Sequence, residues 1–323
     1  MRKFEIKNFS NKMADCFLIE LENELDQTAT ILVDGNREKA KKAVFNTLVD
    51  EIISLGKKLD FIIITHVDDD HLGGILKLFG YADSKRDLRA VKLDAILNET
   101  EVIYNYVTRG AINYQQAESL EDLLSRRKLS HSCKMYYETR NKLLNIYRYE
   151  KRRYIKIRKS HTFQKAYLTF ISPNKEGVNA VIKDYEEKKK QGSKNPDGEL
   201  VNRYSIVFLL EFWGKSVIFA ADAYWDEIQL KLDGIKEMSQ VEVIKIPHHG
   251  AGDNNKGMVK WAQDKNCKRF ILTVPPNSVL HPSEKLISDF QEYNNQERIQ
   301  IYTDAENVKM KGFVNRKQVI KIL

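Results

Sequence analysis

Ile64-Thr65-His66-Val67-Asp68-Asp69-Asp70-His71-Leu72-Gly73-Gly74 continues directly from the apolar run Phe61-Ile62-Ile63. A string dense in histidine and aspartate thus leaves the carboxyl end of a buried strand and enters a turn or helix opened by two glycines. Side chains alternate along an extended stretch, which puts His66 and Asp68 on one side, with Asp70 and His71 just after the bend. Three successive aspartates at a water-poor strand end need either solvent or a cation. A polar loop accounts for any one of these residues alone, but it accounts poorly for the whole string.

Two more apolar runs end in the same residue types. Ser216-Val217-Ile218-Phe219-Ala220-Ala221 stops at Asp222, and Val243-Ile244-Lys245-Ile246-Pro247 stops at His248-His249-Gly250. Either alone is weak, because strands often end in a turn-forming aspartate and a histidine pair is more often structural than ligating. Three strand ends delivering His and Asp together make the case for a metal centre.

Around these strand ends the chain reads as alternating β and helical segments. Strands are predicted at Lys3 to Asn8, Cys16 to Leu21, Thr28 to Asp34, Asp60 to His66 and Val91 to Leu97, with a helical pattern between Asn36 and Lys57. A helix follows over Ala111 to Leu129, and a basic, tyrosine-rich segment, expected to be largely helical, runs on to about Ser160. A second series of strands covers Lys165 to Ser172, Ser205 to Phe212, Ser216 to Ala221, Val241 to Ile246, Arg269 to Val274, Ile299 to Thr303 and Gln318 to Leu323. Helices fill Asp226 to Leu232, Met258 to Asp264 and Ser283 to Tyr293, and Tyr185 to Gly198 reads as a mobile surface loop. Two mixed halves of similar content predict an α/β fold of two sheets packed face to face with helices outside.

Length and composition agree. A chain of 323 residues, 42% hydrophobic and 30% charged, can bury a real core and is neither disordered nor collagen-like. No apolar run approaches the roughly 20 residues of a membrane span, and the start, Met1-Arg2-Lys3-Phe4, has no secretory pattern, so a cytoplasmic location with no membrane contact is the expectation. Cys16, Cys133 and Cys267 are far apart and outside any CxxC, which leaves His and carboxylates to hold a metal. The net charge of +8 is regional: 13 Lys or Arg face two Glu between Arg126 and Lys159, a local +11. Arg126, Arg127, Lys128, Arg148, Lys151, Arg152 and Arg153 are interleaved with Tyr136, Tyr137, Tyr147, Tyr149 and Tyr154, a combination suited to phosphates and stacked bases of single-stranded nucleic acid. An amphipathic arm that packs its tyrosines on the core fits the same pattern.

With these motifs in place, the sequence resembles the metallo-β-lactamase superfamily, and within it the hydrolase domain of ComEC-type competence proteins and their stand-alone bacterial relatives. The HxDxDHxGG form of the metal motif matches His66, Asp68, Asp70, His71, Gly73 and Gly74. Ala14-Asp15-Cys16 with Val33-Asp34-Gly35 is similar to the family's opening, where the Asp-Gly turn lies under the metal site. Phe170-Ile171-Ser172-Pro173, the Asn202 to Val207 segment, Ala221-Asp222, the "KVPHHG"-like Lys245 to Gly250 and His281-Pro282 resemble its later elements. The resemblance implies a four-layer αβ/βα sandwich, a single domain over 1–323 with a first half at 1–110, a basic, helical insertion at about 111–164 and a second half at 165–323. It implies two divalent metal ions, zinc or manganese, with His66 and Asp68 at the first position, Asp70, His71 and His248 at the second, and Asp222 bridging. No histidine precedes the bridging aspartate in the Asn202 to Ser205 segment, so the first position is expected to be weak or empty.

The chemistry so implied is hydrolysis by a metal-bridged hydroxide that Asp70 orients. His249, Lys245 and His281 are candidates to neutralise developing charge or protonate a leaving group, and Asn202 to contact substrate. With the basic segment, the expectation is a phosphodiesterase or nuclease acting on DNA or RNA. A small-molecule hydrolase of a nucleotide, lactone or thioester is the alternative, as is a non-catalytic module binding nucleic acid or a partner. Relatives of this type suggest a role in bacterial defence. No GxxxxGK[ST] pattern is present, so energy coupling requires a partner ATPase or another defence-system protein.

Overall fold

Strand β4 (Phe61–Ile64) shows how the layers are built. Phe61 and Ile63 face the opposite sheet, while Ile62 and Ile64 face a layer of helices, so a run of four apolar residues is buried on both sides. The computed structural model describes residues 2–10, 13–56, 59–104, 115–127, 153–158, 161–193, 197–235, 238–274, 278–303, 314–315 and 319–323.

The first sheet has the order β14-β1-β2-β3-β4-β5, with β1 (Lys3–Asn8), β2 (Phe17–Glu22), β3 (Thr28–Val33), β5 (Glu101–Tyr104) and the returning β14 (Val319–Lys321) around β4. Its β14, β1, β2 and β3 are antiparallel neighbours, and β3, β4 and β5 run parallel. Helices α1 (Lys42–Ser54), α2 (Asp69–Ser84), α3 (Leu88–Leu97) and α4 (Gln115–Arg126) cover its outer face through one apolar cluster.

The second sheet runs β13-β12-β11-β10-β9-β8-β7-β6, made of β6 (Arg153–Arg158), β7 (His161–Ser172), β8 (Val207–Phe212), β9 (Lys215–Phe219), β10 (Gln240–Lys245), β11 (Arg269–Ile271), β12 (Gln300–Tyr302) and β13 (Val314–Asn315). From β9 to β13 its strands are parallel. Helices α5 (Lys175–Lys190) and α6 (Gly198–Arg203) precede β8, while α7 (Trp225–Asp233), α8 (Met258–Asp264) and α9 (Glu284–Gln296) pack on the outer face. A middle cluster from Phe4 and Phe17 to Phe208 and Phe219 glues the sheets together. The result is the four-layer αβ/βα sandwich expected from the sequence. No described helix is long and apolar enough to cross a membrane.

Three local expectations are corrected. Val91 to Leu97 belongs to helix α3, not a strand: Asp87 caps it by accepting from the Ala90 amide, and Ala90, Leu93 and Leu97 are buried at helical spacing. Arg153 to Arg158 is strand rather than helix, in keeping with the alternation Ile155-Lys156-Ile157-Arg158. Lys188 to Lys190 is the last turn of α5, whose Tyr185 is buried, rather than part of a loop.

The parallel halves of both sheets send their carboxyl ends to one place. After β3 the chain reaches Asp34, after β4 His66, after β9 Asp222, after β10 the His248-His249 pair and after β11 Thr273. In open α/β sheets a crevice outside these ends is where ligands bind.

Candidate metal centre

Helix α2 starts at Asp69 with Asp68 as its cap residue, and the Asp68 side chain makes no capping bond, which leaves it free for other partners. Asp69 and Asp70 in the first turn suit the positive end of the helix. The two glycines let the turn after β3 press onto this helix. Gly35 N donates to His71 O at 2.8 Å and Gly74 N to Asn36 O at 2.7 Å. A Cβ on Gly74 would sit 1.6 Å from Gly35 O, so only glycine permits this approach.

Four imidazoles surround one carboxylate oxygen. Asp222 Oδ2 lies 3.9 Å from His66 Nε2, 3.5 Å from His71 Nε2, 3.8 Å from His248 Nε2 and 3.9 Å from His249 Nε2. In each ring the other nitrogen is already engaged. His71 Nδ1 is 2.7 Å from Asp34 Oδ2, and His249 Nδ1 is 2.6 Å from the Thr273 carbonyl. His248 Nδ1 is 3.0 Å from Asn254 Oδ1, and His66 Nδ1 is 3.1 Å from Thr65 Oγ1. The Thr65 hydroxyl donates to Asp34 Oδ2 at 2.8 Å, so the remaining His66 Nδ1–H donates to Thr65. Asp34 therefore orients two rings, one directly and one through Thr65. All four Nε2 atoms are turned toward Asp222, as in metal sites whose histidines are held from behind.

The Nε2 atoms of His66, His71 and His249 and Oδ1 of Asp222 are buried without a hydrogen-bond partner. Three groups of ligand atoms each lie within 4.8 Å of one another: His66, His71 and Asp222; Asp70, His71 and His249; and Asp15, Asp34 and His71. Buried, convergent imidazole nitrogen and carboxylate oxygen fit a metal cation.

The electrostatics follow from this crowding. Burial opposes a charged His71, but Asp222 and Asp34 outweigh it and hold the imidazole well above the usual histidine range. Burial and the neighbouring His71 push His66 down to about 4. Burial and the charge of Asp70 push Asp68 up to about 6. Asp70 is held below the usual carboxylate range despite its burial, chiefly by His249 and His71. Asp222 is likewise held well below it by His71, His249 and Lys245.

Most of the predicted residues come together. Asp68 Oδ2 is 3.8 Å from His66 Nε2, and Asp70 Oδ2 is 3.5 Å from His249 Nε2. Within the group that holds Asp70 and His71, His249 takes the place expected for His248. The cause is local: both residues are left-handed, at φ 42° and 53°, and this kink turns His249 inward onto Thr273 while His248 stays 28% exposed and faces Asp222. His281 lies beside His248, with ring centres 5.8 Å apart, and burial together with His248 and His249 lowers its pKa. Asn202 is buried on α6 with Oδ1 unpartnered, close to Ile206, whose amide donates to Thr65 O.

Lys245 is 1% exposed, so it faces the carboxylates from inside and is out of reach of a substrate. The basic residues divide. Arg126 is exposed on the last turn of α4. Arg127 is buried against Asp83 at 2.7 Å, Asp94 at 2.8 Å and Asn98 at 2.9 Å, which withdraws it from the expected polymer surface. Arg153 stands in β6, paired with Leu168, and Lys128, Arg148, Lys151 and Arg152 lie outside the described residues.

Asp15, Thr65, Thr273, Asn254 and Arg37 were not singled out as site residues by the sequence. Asp15 sits in a quoted motif, and its contacts with Lys245 and with Thr273, 258 positions away, have no local signature.

No protein-family model matches the chain, and no curated protein matches it. Among solved structures 34 chains match. One, a variant of CmlA beta-hydroxylase, aligns at 10% identity and a TM-score of 0.45, over 99% of this chain and 53% of its own length, so the chain spans about half of that structure.

Proposed function

We propose that the protein is a metal-dependent phosphodiesterase acting on DNA or RNA, with divalent cations held between the strand ends of the two sheets. The observation that carries this reading is the convergence of four Nε2 atoms on Asp222 Oδ2 at 3.5 to 3.9 Å, each ring held from behind. His66 with Asp68 would hold one cation and Asp70, His71 and His249 another, with Asp222 and His248 as further ligands. Bound there, such cations supply Lewis-acid polarisation and lower the pKa of a water.

The chain's own residues do the rest. Asp34 and Thr65 keep Nε2 of His66 and His71 directed at the centre. Lys245 balances the charge of Asp222 from inside. His281, its pKa lowered, is neutral near pH 7 and suited to accept a proton rather than deliver one. Asn202 offers a buried, unpartnered amide oxygen beside the strand end that carries His66. The polymer substrate is supported by the +11 segment between Arg126 and Lys159.

A second reading, hydrolysis of a small molecule with an apolar part, is favoured by Val279 and Leu280, both exposed beside His281. The test is cleavage of labelled single- and double-stranded DNA and RNA in Zn²⁺ and Mn²⁺ titrations, beside Asp222→Asn. Metal-dependent cutting, lost in a folded variant, is expected. A metal-loaded wild-type protein that cuts none of them would overturn the reading.

A further inference from the structure

The turn after β3 carries a cation to the edge of the centre. Asn36 is clamped on three sides: its amide donates to Asp15 O at 2.8 Å, its side chain donates to Phe9 O at 2.7 Å, and its carbonyl accepts from Gly74 N at 2.7 Å. Arg37 follows on this fixed base. Its Nε donates to Met13 O at 3.3 Å, and Nη2 donates to Asp70 Oδ2 at 3.2 Å, with Nη1 3.8 Å from Asp69 Oδ2.

Among the described residues, Lys245 and Arg37 both make ion pairs with the carboxylates that the site brings together, and they differ in access. Lys245 is 1% exposed, whereas the Arg37 side chain is 44% exposed. A guanidinium has five N–H donors, and the two hydrogen bonds leave three of them over. Those donors lie on a group anchored to Asp70, which is itself 3.5 Å from His249 Nε2 in a ligand group. A planar donor fork held on Asp70 matches the paired oxygens of a phosphoryl group and offers little to an uncharged ester.

Resting on the phosphodiesterase reading, we propose that Arg37 is a specificity-determining residue that binds a non-bridging oxygen of the substrate phosphodiester and so selects anionic substrates. The test uses metal-loaded wild-type protein, Arg37→Lys and Arg37→Ala, with metal content checked in each. Hydrolysis of bis(4-nitrophenyl) phosphate, a diester too small to engage the basic segment, is compared with that of neutral 4-nitrophenyl acetate. Binding of inorganic phosphate is measured by titration calorimetry.

The expected result for Arg37→Ala is a KM for the diester raised about 10-fold or more, and phosphate binding weakened to match, as for loss of a charge-assisted hydrogen bond. The neutral ester loses several-fold less than the diester, and Arg37→Lys recovers part of the loss. Unchanged phosphate binding in Arg37→Ala, or equal losses of kcat on both substrates without a change in KM, would overturn the proposal and leave Arg37 as a support for Asp70. If wild-type protein turns over the neutral ester and not the diester, the phosphodiesterase reading fails by itself. Phosphate binding that depends on Arg37 would then still establish the anion site.

Discussion

The Lys245 ammonium lies 2.5 Å from Asp15 Oδ2 and 3.5 Å from Asp222 Oδ1, joining a carboxylate from the first sheet's loops to the one at the centre of the four imidazoles. It also donates to Ala221 O at 2.9 Å. Burial works against the charge, but Asp15 and Asp222 raise the Lys245 pKa above its usual value. Lys245→Met leaves two buried carboxylates without their cation, so a loss of about 3–5 kcal/mol in urea denaturation is expected. A variant as stable as wild type would show that the pair contributes nothing.

Asp34 and Thr65 form a short relay behind two rings. Asp34→Asn removes the carboxylate that holds His71, and metal affinity is expected to fall about 10- to 100-fold in competition with a chelating dye. Thr65→Val cuts the branch to His66 and leaves the direct Asp34 contact of His71, so it should cost less. Equal affinity in all three proteins would refute the relay.

Metal uptake should expel protons in a pH-dependent number. His71, held well above its ordinary value by Asp222 and Asp34, gives up a proton when its Nε2 takes a cation. Asp68, at about 6, is largely protonated at pH 5 and adds a second, while His66, at about 4, is already neutral there and adds none. Since the free protein binds more protons than the loaded one, affinity rises with pH, most steeply at the acid end. Calorimetry in buffers of different ionisation enthalpy counts these protons, and a count independent of pH would contradict the assignment.

Two glycines of one helix should respond in opposite directions. A Cβ at Gly74 collides with the backbone of Gly35, whereas a Cβ at Gly80 meets nothing within 4 Å. Gly74→Ala is expected to cost about 2 kcal/mol or more, because the turn bearing Asp34 must move. Gly80→Ala gains about 0.5–1 kcal/mol from helix propensity. Thermal melts of both variants decide it.

Arg126 and Arg127 are adjacent and should behave differently. Arg127→Ala breaks a buried network with Asp83 and Asp94 and lowers stability by about 3–5 kcal/mol, with the salt dependence of oligonucleotide binding unchanged. Arg126→Ala leaves stability alone and, if Arg126 meets phosphate, reduces the salt slope by about 1. Fluorescence anisotropy across a salt series separates the two.

The sheets and the strand ends were legible in the sequence because alternation and buried runs mark them directly, and β1 and α8 match their predicted limits. Helix α3 was not, since Val91-Lys92-Leu93-Asp94 alternates like a strand and only the core shows which face is buried. The choice between His248 and His249 depended on a left-handed kink that adjacent identical residues cannot signal. Asp15 could be seen but not assigned, because its partners, Lys245 and Thr273, come from the far half of the chain.

Asp34, Ala221, His248 and His249 all adopt positive φ, between 42° and 53°. A left-handed conformation costs an ordinary residue about 1–2 kcal/mol, so several of the protein's least comfortable backbone angles sit at the ends of the strands that aim its ligands. Selection for heat resistance alone would therefore favour glycine at 221 and 248. At 248 that gain would remove an imidazole facing Asp222 and at 221 it would loosen the backbone that carries Asp222, which makes durability and chemistry competing demands on the same few residues.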